Sequence, residues 1–180
     1  MERSCVAVDE TREFLPLQIA LLTISDTRGP DEDTSGDILA ERIKAAGHRL
    51  IARAIERDDA GKVASRLNDW IDDRDVDVVI TTGGTGLTGR DVTPEALDRV
   101  KEKDIPGFGE LFRWISYNTI GTSTVQSRAC AVVSRGTYIF ALPGSNGAVK
   151  DGWDGILAEQ LDSRNRPCNF VELIPRLREK

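Results

Sequence analysis

The sequence has a single histidine, His48, and three cysteines, Cys5, Cys130 and Cys168. One imidazole leaves little room for a histidine-based metal site or a serine–histidine triad. The cysteines are odd in number, far apart and without C-x-x-C spacing, so they read as reduced thiols rather than a disulfide frame or a zinc site. Long hydrophobic runs are missing too. Nothing approaches membrane-spanning length, and Met1-Glu2-Arg3-Ser4-Cys5 leads into no signal-peptide core, so a cytoplasmic protein with no membrane partner is expected. Positive charge is in deficit: 24 Lys and Arg against 30 Asp and Glu give a net charge of −6. An acidic chain suits a nucleic-acid backbone poorly, and no nucleic-acid partner is expected. A small anion is still admissible where backbone N–H groups and one or two local cations receive it.

What is present is an ordinary globular composition. The 180 residues are 39% apolar and 30% charged, enough for one domain around one sheet. Residues 1–16 read as a charged extension, mobile or docked on a neighbouring subunit. Leu17 to Ile24 is a nearly unbroken apolar run, as in a strand buried on both faces. After a polar loop, Thr34 is the expected cap of a helix carrying Leu39, Ile43 and Ala46, which Gly47 stops. His48 to Ile55 reads as a weaker strand. Val63, Leu67, Trp70 and Ile71 make the stripe of the next helix, with Asp58 or Asp59 at its start. Val76 to Thr82 is a third strand, followed at once by a glycine-rich turn. Thr93-Pro94-Glu95, with Thr93 as cap, opens a helix, and Phe108, Leu111, Phe112 and Ile115 mark another. Ala129 to Val133 and Thr137 to Leu142 are strands joined through Arg135-Gly136. Val149, Trp153, Ile156, Leu157 and Leu161 form a closing helix. Residues 17–165 are thus one α/β domain with a mostly parallel sheet covered on both faces, and residues 166–180 are a tail packing on it or on a neighbouring subunit.

Ligands in such folds sit beyond the carboxyl ends of the strands. The loops there carry Ser25-Asp26, Asp58-Asp59, the turn Thr81-Thr82-Gly83-Gly84-Thr85-Gly86 with Asp91, and Pro143-Gly144-Ser145. Successive glycines let a phosphate approach backbone N–H groups, with Thr82 and Thr85 adding hydroxyls. Gly84-x-Gly86-x-x-Gly89 also matches the dinucleotide fingerprint, which would suggest a nicotinamide oxidoreductase. Its context is wrong: no helix opens directly after it, and Asp104, where the ribose acid is due, lies in a segment that reads as no strand. Asp58 and Asp91 are candidate holders of Mg²⁺ for phosphoryl or nucleotidyl transfer. Asp58 equally suits a helix cap, and Asp91 a brace for its own loop. Ser127-Arg128 offers either a bidentate anion contact or a surface ion pair. Trp70 and Trp153 suit packing, while Trp114 lies off its helix stripe.

These segments, in this order, resemble the MoaB/MogA family of molybdenum cofactor biosynthesis proteins. The matching stretches are Leu22-Thr23-Ile24-Ser25-Asp26, Asp33-Thr34-Ser35-Gly36, Thr81 to Gly86, Gly89 to Ala96, Pro106-Gly107-Phe108-Gly109-Glu110, Ser127-Arg128 and Leu142-Pro143-Gly144-Ser145. Ile120 to Thr124 and Arg164 to Phe170 are similar to the MoaB branch. The resemblance implies a three-layer α/β/α sandwich that assembles as a homotrimer or homohexamer. It also implies binding of molybdopterin and its adenylylation with ATP and Mg²⁺, releasing pyrophosphate. A non-catalytic molybdopterin-binding role is the alternative. By position, Asp58 and Asp91 correspond to the family's two functional aspartates. Gly83, Gly84, Thr85 and Gly86 correspond to the phosphate loop, and Ser25-Asp26, Ser127-Arg128 and Gly144-Ser145 to the pocket walls. One departure stands out: Asn146-Gly147 follows Ser145 where many members carry a basic residue.

Overall fold

The computed structural model describes residues 8–179, so Cys5 and the first seven residues of the extension lie outside the described residues. The apolar run after Pro16 forms β1 (Gln18–Ile24), and its pleat feeds two cores. Ile19 and Leu21 enter one, while Ala20, Leu22 and Ile24 enter the other. The remaining strands are β2 (Arg49–Glu56), β3 (Val78–Thr82), β4 (Lys103–Asp104), β5 (Cys130–Ser134) and β6 (Thr137–Leu142), in the sheet order β2-β1-β3-β6-β5-β4. The first four in that order are parallel; β5 and β4 continue the sheet antiparallel.

The helices are α1 (Thr34–Ala45), α2 (Ala60–Asp72), α3 (Thr93–Val100), α4 (Pro106–Ile120) and α5 (Asn146–Gly152). Leu39 and Ile43 of α1, Phe108 and Phe112 of α4 and Val149 of α5 pack on one face of the sheet. Val63, Leu67 and Ile71 of α2 and Ala96, Leu97 and Val100 of α3 cover the other. The result is the expected three-layer α/β/α sandwich around a mostly parallel sheet. After α5 the chain passes through a π-type turn, Trp153–Leu157.

Several local expectations are corrected. Thr34 is the first residue of α1, not its cap; Asp33 caps it, accepting the Gly36 N–H at 3.0 Å. Thr93 likewise begins α3 after Val92, its hydroxyl being engaged elsewhere. Asp104 does lie in a strand. The two-residue β4 pairs with Val132 and Val133, and a charged edge strand this short leaves no periodic signal. His48 is structural: its Nδ1 accepts the Leu17 N–H at 3.2 Å, and burial lowers its pKa. The tail packs on its own domain, where Phe170 meets Tyr138 and Phe140 and its carbonyl accepts the Tyr138 hydroxyl at 3.1 Å.

Topology fixes where the loops meet. β1 lies between β2 and β3, so the chain leaves β1 in one direction and later returns on the other side. That switch point is the crevice where open α/β sheets bind ligands. Thr23 pairs with Thr82, Thr82 with Leu142 and Ile24 with Glu56, which sets the loops after β1, β2, β3 and β6 side by side.

Candidate functional site

The turn after β3 is held with its acceptors turned into protein. Gly83 and Gly84 have φ of 103° and 63°, a region side chains rarely adopt, and a Cβ on Gly83 would strike the Ile24 carbonyl. All four carbonyls of Gly83–Gly86 have donors. The Thr93 hydroxyl donates to Gly83 O at 2.8 Å, and the Thr93 N–H to Gly84 O at 2.9 Å. Arg128 covers the other two, its N–H on Thr85 O at 3.0 Å and its Nε on Gly86 O at 2.7 Å. The N–H groups of Gly84 and Thr85 have no acceptor among the described residues. A loop with satisfied carbonyls and free N–H groups is a receptor for an anion.

Two carboxylates flank this turn. Asp59, not Asp58, caps α2, accepting the N–H groups of Gly61 and Lys62 at 2.8 and 2.9 Å. Asp58 is thereby left to the crevice, where its Oδ1 lies 3.2 Å from the place a Cβ on Gly84 would occupy. Burial raises the Asp58 pKa, and the charges of Asp26 and Asp91 add to the rise. Asp91 behaves oppositely. Partial burial pushes its pKa up, but the hydroxyl and N–H of Thr88, the Gly86 N–H and Arg128 outweigh that, and the carboxylate is held below its usual range. Its Oδ2 accepts both Thr88 donors, at 2.7 and 2.8 Å, and packs on Gly86, where a Cβ would stand 2.8 Å away.

The crevice has two lobes. One, of about 320 Å³, is polar and lined by Ser25, Arg28, Asp58, Arg90 and Asp91. The other, of about 280 Å³, is walled by Phe112, Ile120 and Ala148 together with Ser127, Ser145 and Asp151. Thr85, Gly86 and Pro143 line both. Among the described residues no three His, Cys, Asp or Glu side chains converge on a preformed metal cage. Mg²⁺ requires none, since it binds through one or two carboxylates plus substrate phosphates and water. Asp58 and Asp91 are the two carboxylates lining the polar lobe that could hold such an ion.

Known proteins match this sequence and architecture. A family model described as "probable molybdopterin binding domain" matches residues 20–163. Molybdenum cofactor biosynthesis protein B of Escherichia coli K12 is 48% identical over 158 residues, 88% of this chain and 93% of that protein. Its Bacillus subtilis counterpart is 36% identical over 159 residues, 87% of this chain and 94% of that one. The chain belongs to this family, in its MoaB branch. A crystal structure of molybdenum cofactor biosynthesis protein B superposes with a TM-score of 0.84 at 36% identity, covering 94% of this chain and all of the other. The tungsten cofactor synthesizing protein MoaB from Pyrococcus furiosus gives 0.76 at 34% identity, covering 91% and 98%.

As a molybdenum cofactor biosynthesis protein, the chain distributes the expected site residues between crevice wall and support. Ser25, Asp58, Gly83, Gly84, Thr85, Gly86, Asp91 and Gly144 line the polar lobe; Ser127 and Ser145 line the apolar one. Asp26, Thr82 and Arg128 stand beside the two lobes without lining them. The Thr82 hydroxyl is buried against Pro143 O at 3.2 Å, and Arg128 braces the turn from behind while pairing with Glu95. The MoaB-branch fold also adds residues that sequence reasoning missed. Arg28, the one cation between β1 and α1, donates through Nη1 to Gly144 O at 3.0 Å and Ser35 Oγ at 3.1 Å. Asp151 lies in the apolar lobe. The dinucleotide match is incidental: α3 begins only at Thr93, and the Asp104 carboxylate binds Lys101 at the sheet edge.

Proposed function

We propose that the chain adenylylates molybdopterin, with the pterin's terminal phosphate attacking the α-phosphorus of ATP and pyrophosphate leaving. The observation that carries this reading is the Gly83–Gly86 turn, whose free N–H groups stand where a carboxylate-lined lobe and an apolar lobe meet. A ring-bearing ligand in the apolar lobe would lay its phosphate on the turn, facing a nucleotide in the polar lobe. In-line positioning is most of what such a transfer needs from a protein. Asp58 and Asp91 would hold Mg²⁺, which would neutralise charge on the ATP phosphate oxygens. Burial, and after it the charges of Asp26 and Asp91, raise the Asp58 pKa, and a cation there would relieve the like-charge part. Arg28 adds a positive charge beside the turn, supplying the contact that Asn146-Gly147 does not. The cytoplasm is the setting that goes with this reading; no described helix is long and apolar enough to cross a membrane.

Self-association belongs to the same proposal. Trp114, Tyr117, Ile120 and Val125, on α4 and the turn after it, are 67, 56, 52 and 79% exposed. Large apolar side chains exposed on one helix and the turn after it suit subunit contact in a trimer or hexamer, and light scattering on the purified protein tests it. The decisive experiment for the chemistry is pyrophosphate release from ATP with molybdopterin and Mg²⁺, wild type beside Asp91→Asn. Release by wild type and its loss in the variant supports the transferase. Silence from both, with pterin still bound, replaces it with a non-catalytic molybdopterin-binding protein.

A further inference from the structure

The apolar lobe contains an oddly placed charge. Among the described residues Asp151 is the one ionisable side chain lining it, beside the walls of Phe112, Ile120, Pro143 and Ala148. Its carboxylate has no hydrogen-bond donor there; the only influences on it are burial, which pushes its pKa up, and the neighbouring charge of Asp154. The nearby cation does not serve it. Arg42 is engaged bidentately by Asp154, at 2.9 and 2.8 Å. Nor does Asp151 cap a helix, since Ser145 caps α5 through the Ala148 N–H. Its oxygens are open to the lobe and held by no protein donor, so they are available to the donors of a ligand that displaces water there.

The lobe limits what that partner is. At about 280 Å³ it lies at the small end of ligand clefts, with room for one fused bicyclic ring. Apolar walls favour a flat heteroaromatic face, and a two-oxygen acceptor favours a ring edge with two adjacent N–H donors. We propose that Asp151 reads the 2-amino-4-oxopyrimidine edge of a fused bicyclic ring, accepting from the ring N–H with one oxygen and from the exocyclic amine with the other. Pterins and guanines share this edge. The inference rests on the molybdopterin reading only in setting the ligand's phosphate on the Gly83–Gly86 turn; recognition of the edge is a separate property.

The test is a binding titration of the full-length protein against two matched pairs. Pterin is compared with lumazine, and GMP with IMP; in each pair the second member has lost the 2-amino group. Wild type, Asp151→Asn and Asp151→Ala are measured, with melting temperatures to confirm folding. Wild type is expected to prefer at least one amino-bearing member over its partner by about tenfold or more, because a site built around a donor rejects the analogue lacking it. Both variants should bring that ratio to within about twofold. Preference for pterin over lumazine supports the edge reading together with a pterin substrate. Preference only for GMP over IMP keeps the edge reading and removes the pterin. Lack of discrimination in wild type, or discrimination surviving in folded Asp151→Asn and Asp151→Ala, overturns the proposal. None of these results depends on pyrophosphate release, so loss of the transferase reading would be seen separately.

Discussion

Asp26 and Asp58 hold one another: the Asp26 N–H donates to Asp58 Oδ2 at 2.9 Å, and the Asp58 N–H donates to Asp26 Oδ1 at 3.3 Å. The two loops that flank the polar lobe are thereby locked, although Asp26 itself does not line it. Removing the Asp26 carboxylate breaks one of the two bonds and the pairing with Arg90 at 3.5 Å, while leaving the Asp26 N–H in place. A charge-assisted hydrogen bond contributes about 1.5 kcal/mol, which corresponds to about tenfold in rate. Asp26→Ala is therefore expected to lower the turnover number for pyrophosphate release about tenfold with little change in KM for ATP. Asp58→Ala should cost far more. Steady-state kinetics on the two variants decide it, and equal losses would assign Asp26 a direct role.

The opposite displacements of Asp58 and Asp91 fix the acid limb of the rate. Asp91 stays ionised below the usual carboxylate range, whereas burial and the charges of Asp26 and Asp91 make Asp58 protonate above it. The acid limb of kcat/KM, which reports the free enzyme, should fall as pH drops through a midpoint above the ordinary aspartate pKa, and bound Mg²⁺ should move that of kcat lower. The linkage for stability has the reverse sign. A folded pKa raised above the unfolded one favours the fold most at low pH, and that contribution is lost as pH rises through the folded pKa. At neutral pH the ionised Asp58 thus works against folding, as functional groups often do. Asp58→Asn should abolish turnover and melt no lower than wild type at pH 7. A clearly lower melting temperature would contradict this account.

How much of this was legible beforehand follows from how local each signal is. The buried strands announced themselves because β1, β3 and β6 lie inside the sheet, are buried almost throughout and so are mostly apolar, with threonine as the main exception. β4 did not, because its two exposed residues satisfy only an edge. The glycine turn was readable as a tight turn after β3, since positive φ leaves a compositional mark. The choice between Asp58 and Asp59 as cap was not, because both residue types suit either role and only the path of the chain into α2 decides. Arg128 was visible as a charge, but its place behind the turn depends on β5 lying two strands from β3. Arg28 and Asp151 carried no motif. Their significance comes from what surrounds them, which is a property of tertiary structure alone.

Arg28 is the cation best placed to meet a phosphate. Among the described residues no carboxylate pairs with it, and one nitrogen, Nη1, serves both Gly144 O and Ser35 Oγ. Arg90 lines the same lobe, but its side chain is 75% exposed and shared with Asp26. Exposed pairs of that kind contribute little. Hydrogen bonds to charged groups contribute about 1.5–3 kcal/mol, and 1.4 kcal/mol is about tenfold in affinity. Arg28→Ala is expected to weaken binding of inorganic pyrophosphate at least about tenfold, and Arg90→Ala no more than about threefold. Titration calorimetry reads both, and equal effects would remove the special role of Arg28.

The support of that arginine reaches down to a buried ion pair. Asp33 is fully buried, and its carboxylate accepts from the Thr23 hydroxyl at 2.7 Å, the Gly36 N–H at 3.0 Å and Arg53 Nη2 at 2.7 Å. It therefore ties β1, the start of α1 and β2 together directly beneath Ser35. Asp33→Ala would orphan the Thr23 hydroxyl and the Gly36 N–H and leave Arg53 its exposed partner Asp37 and the backbone carbonyl of residue 33 at 3.4 Å. Arg53, a third exposed and still paired, is not left as a buried charge, so the loss comes mainly from the two orphaned donors, at about 1–3 kcal/mol. Urea unfolding should report a loss of that size with an unchanged slope. Because Ser35 receives Arg28, pyrophosphate affinity should also fall in the variant at temperatures where it is still folded. A stability loss under about 1 kcal/mol would mean that water replaces the carboxylate, and that the link from the α1 cap to the crevice does not hold.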